Sequence, residues 1–273
     1  MSRHTFARLG AYGFEPQAPA ILAALVTGDP LLLIGRSGTG KTFLLNSISE
    51  ALGLEHRHYN ASLIAFDDLV GFPYPDDERT EIRFLETPAT IWGAQSVLVD
   101  EISRCKPEHQ NRLFSLVHER RIQGIALKEL RYRWAAMNPC TADQGGDEAY
   151  LGSEPLDPAL ADRFGVIGDG GDWEGALADD CGELGRRVAR WTAEFERQVR
   201  ACPPEILDYA TAVVSALRDG GIRVSPRRAR LLARSLLAAT IVEAELSDAL
   251  FLSILRCSLP HRAWGEQPEE AKV

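Results

Sequence analysis

Gly35-Arg36-Ser37-Gly38-Thr39-Gly40-Lys41-Thr42 places glycines on either side of a four-residue gap and follows the second with a lysine and a hydroxyl. Each type at that spacing has a use. Glycines let successive backbone N–H groups turn inward and surround phosphate oxygens. A helix starting at the end of the loop points the positive end of its dipole at the same anion. The lysine ammonium then reaches the β- and γ-phosphates, and the Thr42 hydroxyl is a hard oxygen ligand for Mg²⁺. The run Gly35 to Phe43 is accordingly expected to hold ATP, with Mg²⁺ as the accompanying ion. Lysine occurs only at positions 41, 106, 128 and 272, so one inside a glycine-rich loop is hard to assign to chance.

Asp100-Glu101 follows the apolar Val97-Leu98-Val99. A carboxylate at the C-terminal end of a buried parallel strand lies beside a phosphate loop in such an architecture. Asp100 is then a ligand of Mg²⁺, directly or through water, and Glu101 the group that orients and deprotonates the attacking water. Without the loop, the pair would read equally well as an acidic cap of the next helix. Asn138, before Pro139, offers a neutral amide that can bond the γ-phosphate or the water without competing for the metal. Taken by itself it reads as an Asn-Pro turn. Arg163, in Asp162-Arg163-Phe164, could enter a neighbouring subunit's site and meet charge on the transferring phosphoryl group. Arg227 could touch the γ-phosphate from above. Surface arginines are the ordinary alternative for both, and Arg228 and Arg230 read as solvent-facing.

These side chains need a scaffold. Helix-like spacing over Pro19 to Thr27, a buried strand at Leu31 to Ile34 and a helix at Thr42 to Leu52 stopped by Gly53 bracket the loop. Further strands are expected at Glu55 to Asn60, Ser96 to Val99 and Arg131 to Met137, and a helix at Pro107 to Glu119. Turn-rich Phe72 to Leu85 and extended Arg121 to Leu130 suggest inserted hairpins. Alternating strands and helices predict a doubly wound α/β fold with a mainly parallel sheet. From Gly165 to Gly171 the texture changes. The remainder is rich in Ala, Leu and Arg, with helices expected near Glu183 to Arg200, Pro204 to Arg218, Pro226 to Glu243 and Ser247 to Ser258. The expected division is a nucleotide-binding core over 1–171, a small all-α domain over 172–262 and a polar tail over 263–273.

Composition sets outer limits. Of 273 residues, 45% are hydrophobic and 25% charged, the balance of a soluble globular protein. No run of eighteen apolar residues suggests a membrane span, and Met1 to Phe14 lacks the pattern of a secretory leader, so a cytoplasmic protein is expected. Five cysteines, none in a CxxC pair, fit reduced thiols and no zinc site. A net charge of -9 argues against strong non-specific binding to DNA, though it leaves room for a local basic patch.

In order and content these pieces resemble the AAA+ ATPases, and within them the MoxR-like family. Gly35 to Thr42 looks like Walker A, and Val97-Leu98-Val99-Asp100-Glu101-Ile102-Ser103-Arg104 like Walker B with its continuation. Gln110 to Phe114 and His118 to Arg121 are similar to the following helix. Trp134 to Pro139 looks like sensor 1, Leu156 to Phe164 like the stretch bearing the arginine finger, and Ser225-Pro226-Arg227 sits where sensor 2 is placed. The likeness runs from about Phe14 to His261. Ser37 stands where proline is common, Ser103 where asparagine is common, and the loop from Cys140 to Glu154 is long.

The resemblance implies a P-loop NTPase core (the AAA+ core) with a helical lid, and a homo-oligomeric ring, usually of six subunits, with ATP at each interface. It implies chaperone-like remodelling of a client, often with a partner carrying a von Willebrand factor A-type domain. The two hairpins would face pore or partner, and Arg104 is the next finger after Arg163. An AAA+ motor or loader acting on DNA, a P-loop phosphotransferase and a nucleotide-gated interaction module remain open alternatives.

Overall fold

The computed structural model describes residues 5–78, 80, 82–105, 110, 113–140, 153–169, 181–200, 203–243 and 247–264. The expected domain boundary at 171/172, most of the Cys140 to Glu154 loop, part of the Pro107 to Glu119 helix and residues 265–273 of the tail lie outside them.

Among the described residues, five strands form one parallel sheet: β1 (Leu31–Ile34), β2 (His56–Asn60), β5 (Ser96–Asp100), β8 (Tyr132–Met137) and β9 (Val166–Asp169), in the order β2-β5-β8-β1-β9. β1 shows why the sheet needs cover on both faces. Leu31 and Leu33 enter one apolar layer with helices α1 (Ala18–Thr27) and α2 (Lys41–Ala51), while Leu32 and Ile34 enter the other. All four are buried, each worth roughly 1.5–3 kcal/mol of removed apolar surface. Val97 and Val99 of β5 and Leu98 between them divide in the same way.

Two two-stranded hairpins stand outside this sheet. One joins β3 (Pro73–Pro75) to β4 (Ile82–Phe84), and the other joins β6 (Arg121–Ile122) to β7 (Ile125–Ala126). The second turns on Gln123 and Gly124, both at positive φ, the conformation that a two-residue hairpin turn requires. A short helix α3 (Phe66–Val70) precedes the first hairpin.

Beyond the sheet comes a helical C-terminal region: α5 (Cys181–Val199), α6 (Pro204–Asp219), α7 (Arg227–Val242) and α8 (Asp248–Cys257), preceded by the one-turn helix α4 (Pro158–Ala161). Leu232, Leu236 and Leu237 of α7 share an apolar cluster with Ile21, Leu22 and Leu25 of α1.

Three readings change. The Gly165 to Gly171 stretch contains β9, paired in parallel with β1 from Leu31↔Val166 to Ile34↔Asp169. The helix ending at Glu119 finishes in a wider π-helical turn over Ser115–Glu119. The tail does not begin at 263: Pro260–Trp264 forms a 3-10 turn, Ala263 is fully buried, and its carbonyl accepts from the Leu156 N–H at 2.9 Å.

Candidate nucleotide site

β1 delivers the chain directly into the glycine loop. The Gly35 N–H donates to the Met137 carbonyl at 3.1 Å, tying the start of the loop to the end of β8. Gly38 and Gly40 stand at φ +79° and +75°, where a side chain is strained. A Cβ on Gly38 would meet nothing within 4 Å, so backbone conformation rather than space calls for glycine there. α2 starts at Lys41, and the Leu44 N–H to Gly40 carbonyl bond of 2.8 Å closes its first turn. The first amides of a helix have no partner inside it, and such a terminus favours an anion.

Lys41 is buried, and its Nζ donates to the Gly35 and Arg36 carbonyls at 2.8 and 2.7 Å. Burial pulls its pKa down to about 8, with Asp100 and Glu101 opposing the fall. A buried ammonium hydrogen-bonded to neutral carbonyls is poised for an anionic oxygen.

The Thr42 Oγ1 donates to Asp100 Oδ2 at 2.8 Å, although the two are 58 residues apart. The Glu101 N–H donates to Asp100 Oδ1 at 2.8 Å, and His58 Nε2 lies 3.4 Å from Oδ2. Burial raises the Asp100 pKa, but bonds from His58, Thr42 and the Glu101 amide outweigh it and hold the carboxyl below its usual value. One ionised carboxylate and one hydroxyl, both hard oxygen donors, fit Mg²⁺ shared with phosphate oxygens. Among the described residues no group of three His, Cys, Asp or Glu could cage a metal alone, and a phosphate-shared Mg²⁺ needs none.

Glu101 begins the next turn at φ 53°, ψ 38°, a left-handed conformation unusual for a residue with a side chain. Its Oε2 is 3.3 Å from Arg104 Nη1. Arg104, expected as a reserve finger, thus engages Glu101 of its own chain. Asn138 directly follows β8, the strand between β5 and β1, and so stands between carboxylates and loop. Its carbonyl accepts from Ser153 Oγ at 3.2 Å, and Ser153 also bonds Ser103 Oγ at 2.9 Å. Ser103 therefore takes part in a link between the two carboxylate-bearing and amide-bearing segments.

Arg163 lies elsewhere. Its guanidinium carbon is 4.3 Å from the Phe114 ring centroid, one Nη donates to the Ala159 carbonyl, and Nε has no hydrogen-bond partner among the described residues. Arg227 Nη1 pairs with Asp162 Oδ2 at 3.1 Å. Burial first, then the Arg227 charge, lowers the Arg163 pKa. The structure therefore groups Arg227 with Arg163. Arg228 corrects its solvent-facing reading: it is 1% exposed and bonds Asp162 Oδ1 at 3.0 Å, the Phe164 carbonyl at 2.7 Å and the Ala161 carbonyl at 3.1 Å.

Sequence order concealed His58. Nothing about a half-exposed histidine on a strand marks it as a neighbour of Asp100 until the pairing of β2 with β5 is known. Asp162 was equally hidden, since its partners are more than sixty residues away.

Comparisons with known proteins bear on the fold and family. Residues 30–164 match a family described as AAA domain (dynein-related subfamily). A solved structure of a provisionally assigned ATPase from Cytophaga hutchinsonii ATCC 33406 superimposes over 94% of this chain and 84% of its own, with TM-score 0.57 and 16% identity, a likeness of fold. A 155-residue stretch is 27% identical to structural protein ORF618 of Acidianus two-tailed virus. That stretch covers 55% of this chain and only 24% of the viral protein. The sheet, its flanking helices and the helical C-terminal region form an AAA+ P-loop NTPase fold, and the matches support an AAA+ ATPase.

Proposed function

We propose that the protein is a Mg²⁺-dependent, MoxR-like AAA+ ATPase. It hydrolyses ATP at subunit interfaces of a homo-oligomeric ring, usually of six subunits, to remodel a client protein together with a von Willebrand factor A-type domain partner. The observation that carries the ATPase reading is the 2.8 Å bond between Thr42 and Asp100, which joins the end of the phosphate loop to the carboxylate strand with Glu101 next in line.

In this reading the loop amides and Lys41 hold the phosphates. Mg²⁺, held by Thr42 and Asp100, would neutralise charge on the β- and γ-oxygens. Glu101 takes a proton from water as the water oxygen bonds the γ-phosphorus. The bond from that phosphorus to the bridging oxygen breaks, leaving ADP and inorganic phosphate. Asn138 orients the water. Arg163, and Arg227 beside it, would reach a neighbour's γ-phosphate. The apolar side chains Phe72, Tyr74, Ile82 and Leu85 exposed around the first hairpin, and Ile125 on the second, support the reading of the hairpins as client-facing.

The test is phosphate release by the full chain over a range of protein concentrations. Glu101→Gln should lower turnover by a factor of roughly 10² to 10⁴ while nucleotide still binds. Arg163→Ala should abolish the rise in specific activity with concentration. Normal turnover in Glu101→Gln removes that residue from its role, and a concentration-dependent rise retained in Arg163→Ala passes the finger to another arginine.

A further inference from the structure

β2 is an edge strand of the sheet, and its residues alternate in direction. His56, His58 and Asn60 share one face. His56 on that face reaches α2: its Nε2 is 3.0 Å from Asn46 Oδ1. Asn46 and Thr42 are four residues apart on α2 and so lie one above the other. Advancing two residues along β2 while rising one helical turn along α2 brings His58 level with Thr42. The structure shows that outcome, with His58 Nε2 3.4 Å from Asp100 Oδ2, the oxygen to which Thr42 donates.

We infer that His58 is a positioning residue of the metal site, directing a nitrogen-borne hydrogen at Asp100 Oδ2 so that the carboxylate presents itself correctly to Mg²⁺. This rests on the metal-site reading above. Asp100 Oδ1 is fixed by the Glu101 amide, and Oδ2 lies between Thr42 and His58. Thr42 is itself a metal ligand in that reading. Among the described contacts of Oδ2, His58 is thus the side chain not committed to the ion. The distance of 3.4 Å is at the long end for a hydrogen bond. Groups that orient a ligand without touching the metal commonly change metal affinity by about 10- to 100-fold when removed. His58 is half-exposed on an edge strand, so its replacement leaves the apolar layers intact.

The test uses the full chain, a fluorescent non-hydrolysable ATP analogue and MgCl₂. Analogue binding is followed at fixed concentration as Mg²⁺ is titrated, and again in EDTA. His58→Leu should raise the Mg²⁺ concentration for half-maximal binding by about 10-fold and leave binding in EDTA unchanged. His58→Gln, whose amide nitrogen can replace Nε2 as a donor, should restore the parental value to within about 3-fold, at the limit of context effects on a retained bond. A His58→Leu titration that overlays the parent, or a His58→Gln titration as weak as His58→Leu, overturns the inference while leaving the metal site standing. A parent that binds the analogue equally well with Mg²⁺ and in EDTA overturns the metal site itself, and this inference with it.

Discussion

An ammonium buried against two peptide carbonyls is stabilised less than one in water, and Lys41 shows it in a pKa of about 8. The consequences run in opposite directions for the empty and the loaded chain. Empty, the fold disfavours the charged form, so the unfolded chain binds more protons between pH 8 and lysine's ordinary value. Lys41's own contribution to the stability of the empty chain should therefore rise with pH across that window. Loaded, phosphate oxygens favour the charged form, so nucleotide binding should take up a proton near pH 8 and weaken as pH rises further. Calorimetry in two buffers of different ionisation enthalpy checks this. The apparent enthalpy should depend on buffer at pH 8.5 and much less at pH 7, and Lys41→Met should lose binding. Buffer-independent enthalpy at both values would show an unperturbed lysine. Lys41, Thr42, Asp100 and Glu101 were legible in the sequence because phosphate and Mg²⁺ admit few residue types at few spacings. His58 and Arg228 were not, because what they touch is set by sheet order and helix docking rather than by position in the chain.

Elements hold these residues in place through a polar seam under α2. With His56 neutral, Ser49 can donate to Ser96, Ser96 to His56 Nδ1, and His56 Nε2–H to Asn46, over 3.1, 2.8 and 3.0 Å. The seam joins the helix behind the phosphate loop to β2 and β5. Burial, then the charges of His58 and Arg57, lowers the His56 pKa to about 4. Because the folded value lies below the unfolded 6.5, this contribution is complete above pH 6.5 and is lost as pH falls towards 4. Discounted for partial exposure, the loss between pH 7 and 5 is on the order of 1–2 kcal/mol. Urea unfolding at the two values should show it in the parent. In His56→Leu it should be smaller, on a stability already reduced at pH 7 by the lost bonds to Ser96 and Asn46. Equal losses in both proteins would place the acid sensitivity elsewhere. The same scale shows where local pattern fails. Helices of ten residues or more announced themselves by spacing, but β9 is four residues ending Gly-Asp. Pairing with β1 makes it a strand, and a Cβ on Gly168 would come within 3.1 Å of Leu33, so the glycine that hid it also permits the close approach.

Across the whole molecule, one carboxylate fastens the helical C-terminal region to the segment that carries Arg163. Asp162 accepts from Ser225 Oγ at 2.9 and 2.8 Å, from Arg227 at 3.1 Å and from Arg228 at 3.0 Å. The three partners stand at the entrance to α7, so they bring its first turn against α4. Their energies differ sharply. Arg227 is 39% exposed, and an ion pair open to water is worth about 0–1 kcal/mol. Arg228 is buried, and removing its only described carboxylate partner strands a charge among carbonyls, a loss of about 3–5 kcal/mol. Asp162→Ala should therefore lower the free energy of unfolding far more than Arg227→Ala, as read from urea midpoints at constant slope. It should do so without abolishing binding of a fluorescent nucleotide under native conditions, because Lys41, Thr42 and Asp100 draw on none of these contacts. In the ring reading, the same variant should also lose the rise of ATPase activity with concentration, since Arg163 sits next to the lost carboxylate and Arg227 is held by it. Equal destabilisation by Asp162→Ala and Arg227→Ala would mean that the buried guanidinium is carried by the Ala161 and Phe164 carbonyls alone, and that the C-terminal region is seated by its apolar contacts with α1.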